Sequence, residues 1–525
     1  MEQKKPHGKP HRKYKKGIVA DEARRRRQDH GVDIRRKQRD EALQKRRRNT
    51  VQTDATFAAP TDPKLVQHIS ALVAGLRSSD LNQCRTSIAT LRKMVSSEQD
   101  PPLQLVVDSG VIPILVQMLG CNQAELIFES AWVLTNITSG TTEQTRSVLQ
   151  HGALPSMIRL LAHPNPEIVD QVVWALGNIA GDCQDFRDAC LQSNLVPALL
   201  QLFRQGKPAL SITRNAVWTV SNLCRGRPFV DFKTVAGPLL PLLKQLITCT
   251  DESIVIDSCW ALSHLTLDSD SSAKMDAIMD CGLFDRLLTL LANPNAKIVV
   301  PTLRAVGNIV SGEDVYTDHA VSKGVVPILG QLLSHENKRI RKEAAWTLSN
   351  ISAGTLEQME SIIKCGVSSI MIRRFPLEIY DVKKELLWSF KNATSTCATP
   401  HILQFYKEGL MQALSQVLPV FKQSMEELRA LLQTLDKMLQ AGHALRDTGL
   451  CNPVANTAEE CGLIDHLETL QYHENQGIYQ LASHMLKTHF QADEVEPQDV
   501  TLRPAAGPAS FAFQTPASSA ASFQF

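Results

Sequence analysis

Apolar residues recur at helical spacing along most of the chain between residues 63 and 492. Ile112, Leu115, Val116 and Leu119, for example, fall on one face of a single helix. Segments that alternate with the period of a strand are nearly absent. The pattern therefore predicts an all-α protein made of many short amphipathic helices.

Glycine-led helix starts recur along this region. They read GVIPILVQML at 110, GALPSMIRLL at 152, GPLLPLLKQL at 237, GLFDRLLTLL at 282, GVVPILGQLL at 324, GLMQALSQVL at 409 and GLIDHLETLQ at 462, with weaker copies at Asn194 and Gly366. Glycine permits a sharp turn between helices. Proline falls in the first turn of the next helix, where its missing N–H costs nothing, at Pro113, Pro155, Pro197 and Pro327.

A second motif, aromatic-x-x-x-Asn, recurs every 42 to 44 residues. Its copies are AWVLTN at 131–136, VWALGN at 173–178, VWTVSN at 217–222, CWALSH at 259–264, LRAVGN at 303–308, AWTLSN at 345–350 and LWSFKN at 387–392. All six tryptophans of the chain lie in this register: Trp132, Trp174, Trp218, Trp260, Trp346 and Trp388. A period near 42 with two or three helices is typical of armadillo and HEAT repeats. The sequence thus predicts a right-handed superhelical solenoid of about ten armadillo repeats.

Charge divides the chain into three expected parts. Residues 1–50 hold 19 Lys and Arg against 7 Asp and Glu, whereas the whole chain has a net charge of only +2, so the remainder is acidic. We expect a basic, disordered arm over 1–60, the solenoid over 63–492 and a disordered tail over 493–525. A solvated tail for nucleic acid is one interpretation of the arm, and binding to the acidic body of the same chain is the other. The four tail phenylalanines, from Phe511 to Phe525, are a candidate docking motif.

Several function classes lack their signatures. The twelve cysteines are scattered without a C-x-x-C or zinc spacing, which indicates reduced thiols. There is no export signal, no membrane-spanning run, no phosphate-binding glycine loop and no nucleophile motif. The expectation is a protein that is not an enzyme, with no cofactor, no metal and no membrane partner.

The Trp and Asn of each copy lie one turn apart on one helix face. A single Trp is usually a core residue, but repeated Trp/Asn pairs favour a surface groove, because burying each amide is costly unless it is paired. The amides suit the backbone of an extended peptide, and gaps between indoles suit Lys and Arg stems. Acidic residues share this phase: Asp182, Asp257, Asp314, Glu343 and Glu385. The predicted ligand is therefore an extended Lys- and Arg-rich peptide.

The repeated Trp/Asn pairs form a series that we call the ladder, and the middle copies of the motif interrupt it. His264 stands in an Asn position and Arg304 in a Trp position, which leaves a larger stretch at 132–222 and a smaller one at 346–392. Arg304 would repel basic side chains, or anchor backbone carbonyls and acidic neighbours. His264 is interpreted as a polar neighbour rather than a metal ligand.

With this ladder, the basic arm, ALGNIAGD, LTNITSGTTEQT and EECGLIDHLETLQYHEN at 459–475, the chain resembles the importin-α (karyopherin-α) family from about residue 10 to 490. The resemblance implies a nuclear import adaptor that shuttles between cytoplasm and nucleus. Its partners would be importin-β, cargo proteins with nuclear localisation signals, and an export receptor with Ran-GTP. No direct binding of nucleic acid is expected.

The resemblance also implies particular site residues. The major signal site would comprise Trp132, Asn136, Gly140, Thr145, Trp174, Asn178, Asp182, Trp218 and Asn222, with Asp182 pairing a key lysine of the signal. The minor site would comprise Asp257, Arg304, Asn308, Asp314, Glu343, Trp346, Asn350, Glu385, Trp388 and Asn392. The importin-β-binding and autoinhibitory residues would be Arg12, Lys13, Arg24, Arg25, Arg26, Arg27, Lys45, Arg46, Arg47 and Arg48. The export receptor would use the surface around Glu459 and Glu460.

Two departures from the family pattern concern the minor site and the fourth repeat. The seventh copy continues as KNATSTCATP, without the usual glycine after Asn, and Lys391 adds a positive charge. His264 replaces the family's usual tyrosine. These features predict a functional major site and a weakened minor site. The rival hypothesis is an armadillo scaffold whose arm binds RNA or chromatin with a steep salt dependence while the groove is unused.

Overall fold

The structure, a computed structural model, describes residues 63–97, 101–267, 272–445 and 452–490. Within those ranges it consists of helices and turns without a strand, which confirms the all-α prediction. The chain divides into two compact units between Leu463 and Ile464.

In the described part of the first unit, nine helices form a repeating element, and we call them the ladder helices. They are Leu81–Val95, Ala124–Ile137, Pro166–Asp182, Leu210–Leu223, Glu252–Leu265, Ala296–Val310, Lys338–Ser352, Tyr380–Thr396 and Met425–His443. Each packs against the next one along the chain. The seven aromatic-x-x-x-Asn copies lie on the second to the eighth of them.

At least one further helix precedes each ladder helix, and another follows the last of them. These further helices span Pro63–Leu76, Leu103–Asp108, Ile112–Met118, Thr142–Gln150, Ala153–Leu160, Gln184–Gln192, Leu195–Arg204, Gly237–Leu246, Ser272–Asp280, Leu283–Leu290, Asp314–Ser322, Val325–Leu332, Leu356–Lys364, Val367–Arg374, Thr399–Lys407, Leu410–Phe421 and Pro453–Glu460. A helix over Leu463–Leu470 crosses the boundary between the units, and the second unit contains the helix Gln476–His489.

The glycine-led starts are turns in the left-handed region, as predicted. Positive φ occurs at Gly110, Gly152, Gly282, Gly324, Gly366, Gly409 and Gly462, and at Asn194. Glycine adopts this conformation without steric cost, and asparagine tolerates it. The prediction of a sharp turn at Gly237 is wrong. Its φ is −56°, because a π-helical turn over Phe232–Ala236 leads directly into the helix. The four prolines predicted in first turns occupy that position.

Polar caps begin many ladder helices. The side chains of Asp80, Asn165, Asp251, Asn295 and Asn337 each accept a hydrogen bond from a backbone N–H in the first turn. Such a cap satisfies one of the N–H groups that a helix leaves unpaired at its start. The apolar face then lies against neighbouring helices. In Pro166–Asp182 the side chains of Ile168, Val172, Leu176 and Ile179 are fully buried.

Candidate functional site

The six tryptophans occupy one register of six ladder helices. Each indole precedes its Asn, or His264, by four residues, so the two side chains lie one turn apart on one helix face. Trp174 and Trp260 are only 6% and 8% exposed, and the other four indoles are partly exposed. The register recognised in the sequence is therefore a single spatial series along packed helices.

The ladder asparagines connect adjacent ladder helices. Asn178 is fully buried, and its Nδ2 donates to the backbone oxygen of Thr135 at 3.1 Å. Equivalent bonds run from Asn222 to Gly177 O (3.0 Å), Asn308 to Ser263 O (2.9 Å), Asn350 to Gly307 O (3.4 Å) and Asn392 to Ser349 O (3.1 Å), and Asn136 donates to Ser96 Oγ (3.1 Å). Each of these amides is therefore paired, because the preceding repeat supplies an acceptor for it, and the pairing offsets the cost of burial.

The residue before each ladder asparagine or His264 is small in six of the seven copies: Thr135, Gly177, Ser221, Ser263, Gly307 and Ser349. The reason is visible at the two glycines. A Cβ on Gly177 would stand 2.3 Å from Cζ3 of Trp218, and a Cβ on Gly307 would stand 2.3 Å from Cζ3 of Trp346. The indole of the next repeat therefore rests on this position. Lys391 is the exception.

Arg304, which replaces an indole, lies between an indole and a carboxylate. Its Nη2 donates to Glu343 Oε1 at 2.7 Å, and its guanidinium carbon is 5.6 Å from the centroid of Trp260. Glu343 is 4% exposed. Burial and the positive charge of Arg304 lower the pKa of the neighbouring Arg339, against the opposing charge of Glu343. Of the two roles considered for Arg304, the structure shows the anchoring of an acidic neighbour.

A similar cluster at the first indole was missed by the sequence reasoning. Arg92 forms an ion pair with Glu129, and its guanidinium carbon lies 4.7 Å from the ring centroid of Trp132. Burial raises the pKa of Glu129, and the charge of Arg92 offsets this only in part. Glu129 precedes Trp132 by three residues, as Glu343 precedes Trp346. Applying that spacing to every copy would have found Glu129, and also the amides of Gln171 and Asn215.

Asp182 ends the ladder helix that carries Trp174. Its Oδ1 accepts a hydrogen bond from Thr142 Oγ1 at 2.7 Å, which joins it to the helix that begins after Gly140. A Cβ on Gly140 would lie 1.9 Å from Gln144 Oε1, so the glycine leaves room for the capping box of Thr141 and Gln144. Thr145 is buried in the same turn. Gly140, Thr145 and Asp182 are thus brought together beside the ladder.

The remaining acidic candidates of the minor site occupy three separate helices. Glu385 is buried one turn before Trp388. Asp257 is partly exposed one turn before Trp260, and Asp314 begins the short helix Asp314–Ser322. His264 stacks on Trp260 of its own helix, with ring centroids 6.1 Å apart and planes 27° apart.

Glu459 and Glu460 are exposed at the end of the helix Pro453–Glu460. The ten basic candidates of the arm, from Arg12 to Arg48, lie outside the described residues, and so do the tail phenylalanines. Within the described part of the chain, no cluster of three or more His, Cys, Asp and Glu side chains could hold a metal ion. No helix in those ranges is long and apolar enough to cross a membrane.

Three family profiles match the chain. The Importin beta binding domain matches residues 11–89, which include the helix Pro63–Leu76 and part of Leu81–Val95. The Armadillo/beta-catenin-like repeat matches residues 99–139, 141–181, 183–225, 236–267 and 314–353, and the Atypical Arm repeat matches 452–505. Among solved structures, an engineered protein has a TM-score of 0.70 at 22% identity, over 80% of this chain and 98% of that one. This likeness supports the fold alone.

Relatives with curated descriptions cover most of the chain. Importin subunit alpha-3 of Arabidopsis thaliana is 37% identical over 507 residues, 94% of each chain. Importin subunit alpha-7 of the same plant is 40% identical over 489 residues, 91% of this chain and 90% of its own. Importin subunit alpha-B of Dictyostelium discoideum is 40% identical over 306 residues, 57% of this chain and 58% of its own.

The fold and the ladder define an armadillo-repeat solenoid protein. The chain belongs to the importin subunit alpha family, and it is a nuclear import adaptor. This family consists of transport adaptors rather than enzymes.

Proposed function

We propose that the ladder binds the nuclear localisation signal of a cargo protein as an extended Lys- and Arg-rich peptide. The observation that carries this proposal is the shared phase of indoles and acidic side chains along packed helices, as in Glu129 with Trp132 and Glu343 with Trp346. Neighbouring helices lie roughly 8–10 Å apart, and an extended peptide rises about 3.3 Å per residue. Each repeat therefore meets about three peptide residues.

The major site is the set of nine residues from Trp132 to Asn222 given above, and the minor site is the set of ten from Asp257 to Asn392. Aliphatic stems of Lys and Arg lie between indoles, where cation–π attraction contributes about 0.5–2 kcal/mol each. Asp182, held by Thr142, receives an ammonium group at the major site. The ladder asparagines already use one N–H between repeats, and the partly exposed Asn392 offers its remaining amide atoms to the peptide backbone.

The basic arm regulates access to this groove. Residues 1–60 bind importin-β, in keeping with the profile match at 11–89. Without importin-β, the KRRR cluster at 45–48 occupies the groove, where its effective concentration reaches about millimolar. Importin-β removes this internal competitor, so binding of importin-β and binding of cargo favour each other. The acidic solenoid over 63–492 supports the pairing with a basic arm.

Release in the nucleus completes the cycle. The exposed carboxylates of Glu459 and Glu460 form part of the surface for an export receptor with Ran-GTP, which returns the adaptor to the cytoplasm. A tail over 493–525 follows the solenoid. Asp182→Lys should leave this return step intact. Substitutions of Glu459 and Glu460 should impair the return step and leave binding of the localisation signal unchanged.

The test is a fluorescence-polarisation titration of a labelled Pro-Lys-Lys-Lys-Arg peptide. The full chain, the full chain with importin-β and a chain lacking residues 1–55 are compared, and the last two should bind the peptide more tightly. Asp182→Lys should abolish most of the binding. Glu167→Lys is the matched control, since it makes the same charge change at an exposed position of the same helix. Equal affinity with and without the arm would refute the autoinhibition, and unchanged binding by Asp182→Lys would refute the major site.

A further inference from the structure

The ladder ends at two lysines, Lys391 and Lys437, which we call the terminal lysine pair. Lys391 lies on the ladder helix Tyr380–Thr396, directly before Asn392, and Lys437 lies on the following ladder helix, Met425–His443. These two helices pack against each other. The pair therefore follows the last indole of the ladder, Trp388.

Lys391 occupies a position that is small in every other copy. At Gly177 and Gly307 this position carries the indole of the next repeat, and a Cβ there would come within 2.3 Å of the ring. Met425–His443 has no tryptophan, so no indole rests on Lys391. A long basic side chain therefore replaces the small residue at the point where the series of indoles stops.

The side chain of Lys391 is buried. The residue is 9% exposed, and its Nζ donates to Ser395 Oγ at 2.8 Å. Burial, and then the positive charge of Lys437, lower the pKa of Lys391. Lys437 itself is exposed, and its Nζ donates to Gln440 Oε1 at 3.1 Å. An anion beside the pair would be attracted by two ammonium groups from adjacent helices.

The charge of the groove thus reverses over one repeat. Glu343, one turn before Trp346, is already paired with Arg304, whereas Glu385 stands one turn before Trp388, and the terminal lysine pair lies just beyond it. With helices roughly 8–10 Å apart and an extended peptide rising about 3.3 Å per residue, one repeat corresponds to about three peptide residues.

We propose that the terminal lysine pair selects an acidic side chain in the bound peptide, about three residues away from the Lys or Arg held at Trp388. This inference rests on the proposed function and names its substrate class more closely. The minor site would then be specialised for signals with a flanking Asp or Glu, and a uniformly basic peptide would bind it poorly because two lysines repel it.

Labelled peptides with a Lys-Lys-Arg core test this selection. One set carries Glu three residues before the core or three residues after it, and the matched set carries Ala or Lys in the same places. They are titrated against the full-length Asp182→Lys variant with importin-β bound. Importin-β removes the arm from the groove and the substitution disables the major site, so the measured binding is that of the minor site. The same titrations use Lys391→Ser, which restores the residue type of Ser349, and Lys437→Gln. Lys338→Gln, an exposed lysine on another ladder helix, is the control.

One of the two Glu peptides should bind roughly five-fold more tightly than its Ala counterpart, because an ion pair contributes about 1 kcal/mol to binding. The matching Lys peptide should bind most weakly. Lys391→Ser and Lys437→Gln should each reduce the preference, and Lys338→Gln should retain it. Equal binding of Glu and Ala peptides, or a preference that survives Lys391→Ser, overturns the selection while leaving the proposed function intact. The proposed function itself would be refuted if the Pro-Lys-Lys-Lys-Arg peptide did not bind the chain that retains Asp182.

Discussion

The indole of Trp218 lies on Gly177 of the preceding ladder helix, so closely that a Cβ on the glycine would stand 2.3 Å from Cζ3 of the ring. Gly307 and Trp346 repeat the arrangement in the other half of the ladder. Contact between repeats is therefore built into the same surface that carries the candidate peptide sites. The spacing of the indoles depends on the size of a residue one repeat earlier.

Gly177→Ala should move the Trp218 indole and weaken binding of a basic peptide at the major site several-fold. Stability should fall by up to about 2 kcal/mol, because overpacking costs about 1–3 kcal/mol and alanine favours the helix by only about 1 kcal/mol. Peptide titration and thermal unfolding measure the two effects. Gly307→Ala should act at Trp346 in the same way. Ser221→Ala, at the same position of a copy that already has a Cβ, should bind normally; a normal affinity for Gly177→Ala would contradict the steric account.

Asn178→Ala should destabilise the solenoid by about 1–3 kcal/mol, because the Thr135 oxygen loses a buried hydrogen bond and a cavity remains. Urea unfolding followed by far-UV circular dichroism measures the loss. Asn456→Ala, at an exposed position, is the control and should cost far less. Equal stability of the two variants would mean that the ladder asparagines do not hold the repeats together.

Arg304→Met should cost about 3 kcal/mol, because it removes the guanidinium from a Glu343 carboxylate that is 4% exposed. Adding Glu343→Leu should recover most of the loss, since no buried charge then remains at that residue. The exposed pair of Arg214 and Asp251 offers a comparison, and Arg214→Met should cost less than about 1 kcal/mol. Additive losses in the double variant would show that the two residues act independently.

Buried thiols should resist alkylation. Burial raises the pKa values of Cys190, Cys224 and Cys259 to about 12, and the thiolate is the reactive form. Iodoacetamide at mildly alkaline pH should label the exposed Cys365 before these three buried thiols, and mass spectrometry of peptides would locate the label. Early labelling of Cys224 in the folded chain would contradict this burial.

The same shifts set a direction for alkaline stability. In the unfolded chain these thiols ionise near the ordinary value of 9.0, and in the folded chain only near 12. Their contribution to stability is complete below pH 9 and is lost as the pH rises from 9 towards 12, because the unfolded state releases protons first. Replacing Cys190 by Ala should reduce this part of the pH dependence in urea unfolding.

Most of the architecture could be predicted from repetition. The helical period, the glycine-led turns and the tryptophan register each recur many times. An accidental match to the motif at one copy therefore had little effect on the prediction. The exception at Gly237 shows the limit of a motif. The sequence GPLLPLLKQL resembles the other starts, but a π-helical turn before it keeps the glycine in helical conformation. That difference lies in the backbone that precedes the motif and not in the motif.

The chemistry of the ladder was harder to predict because it involves residues about 40 positions apart. The sequence placed Asn178 on the same face as Trp174, but its partner at Thr135 appears only when helices pack. Likewise the pairing of Arg92 with Glu129 and Trp132 required the first two ladder helices to lie side by side. Charge type and phase were visible in the sequence, whereas the partner of each charge was not.

The sequence by itself determined the all-α class, the period, the register of six indoles and the opposition between a basic arm and an acidic body. These follow from the periodicity of side chains and from composition, which are local or additive properties. Only the tertiary structure decided that most ladder amides are buried and bonded between repeats, that Arg304 is held by Glu343, and that Lys391 and Lys437 lie on two packed helices at the end of the ladder. Those relations arise when successive helices pack, because packing alone brings together residues that are far apart along the chain.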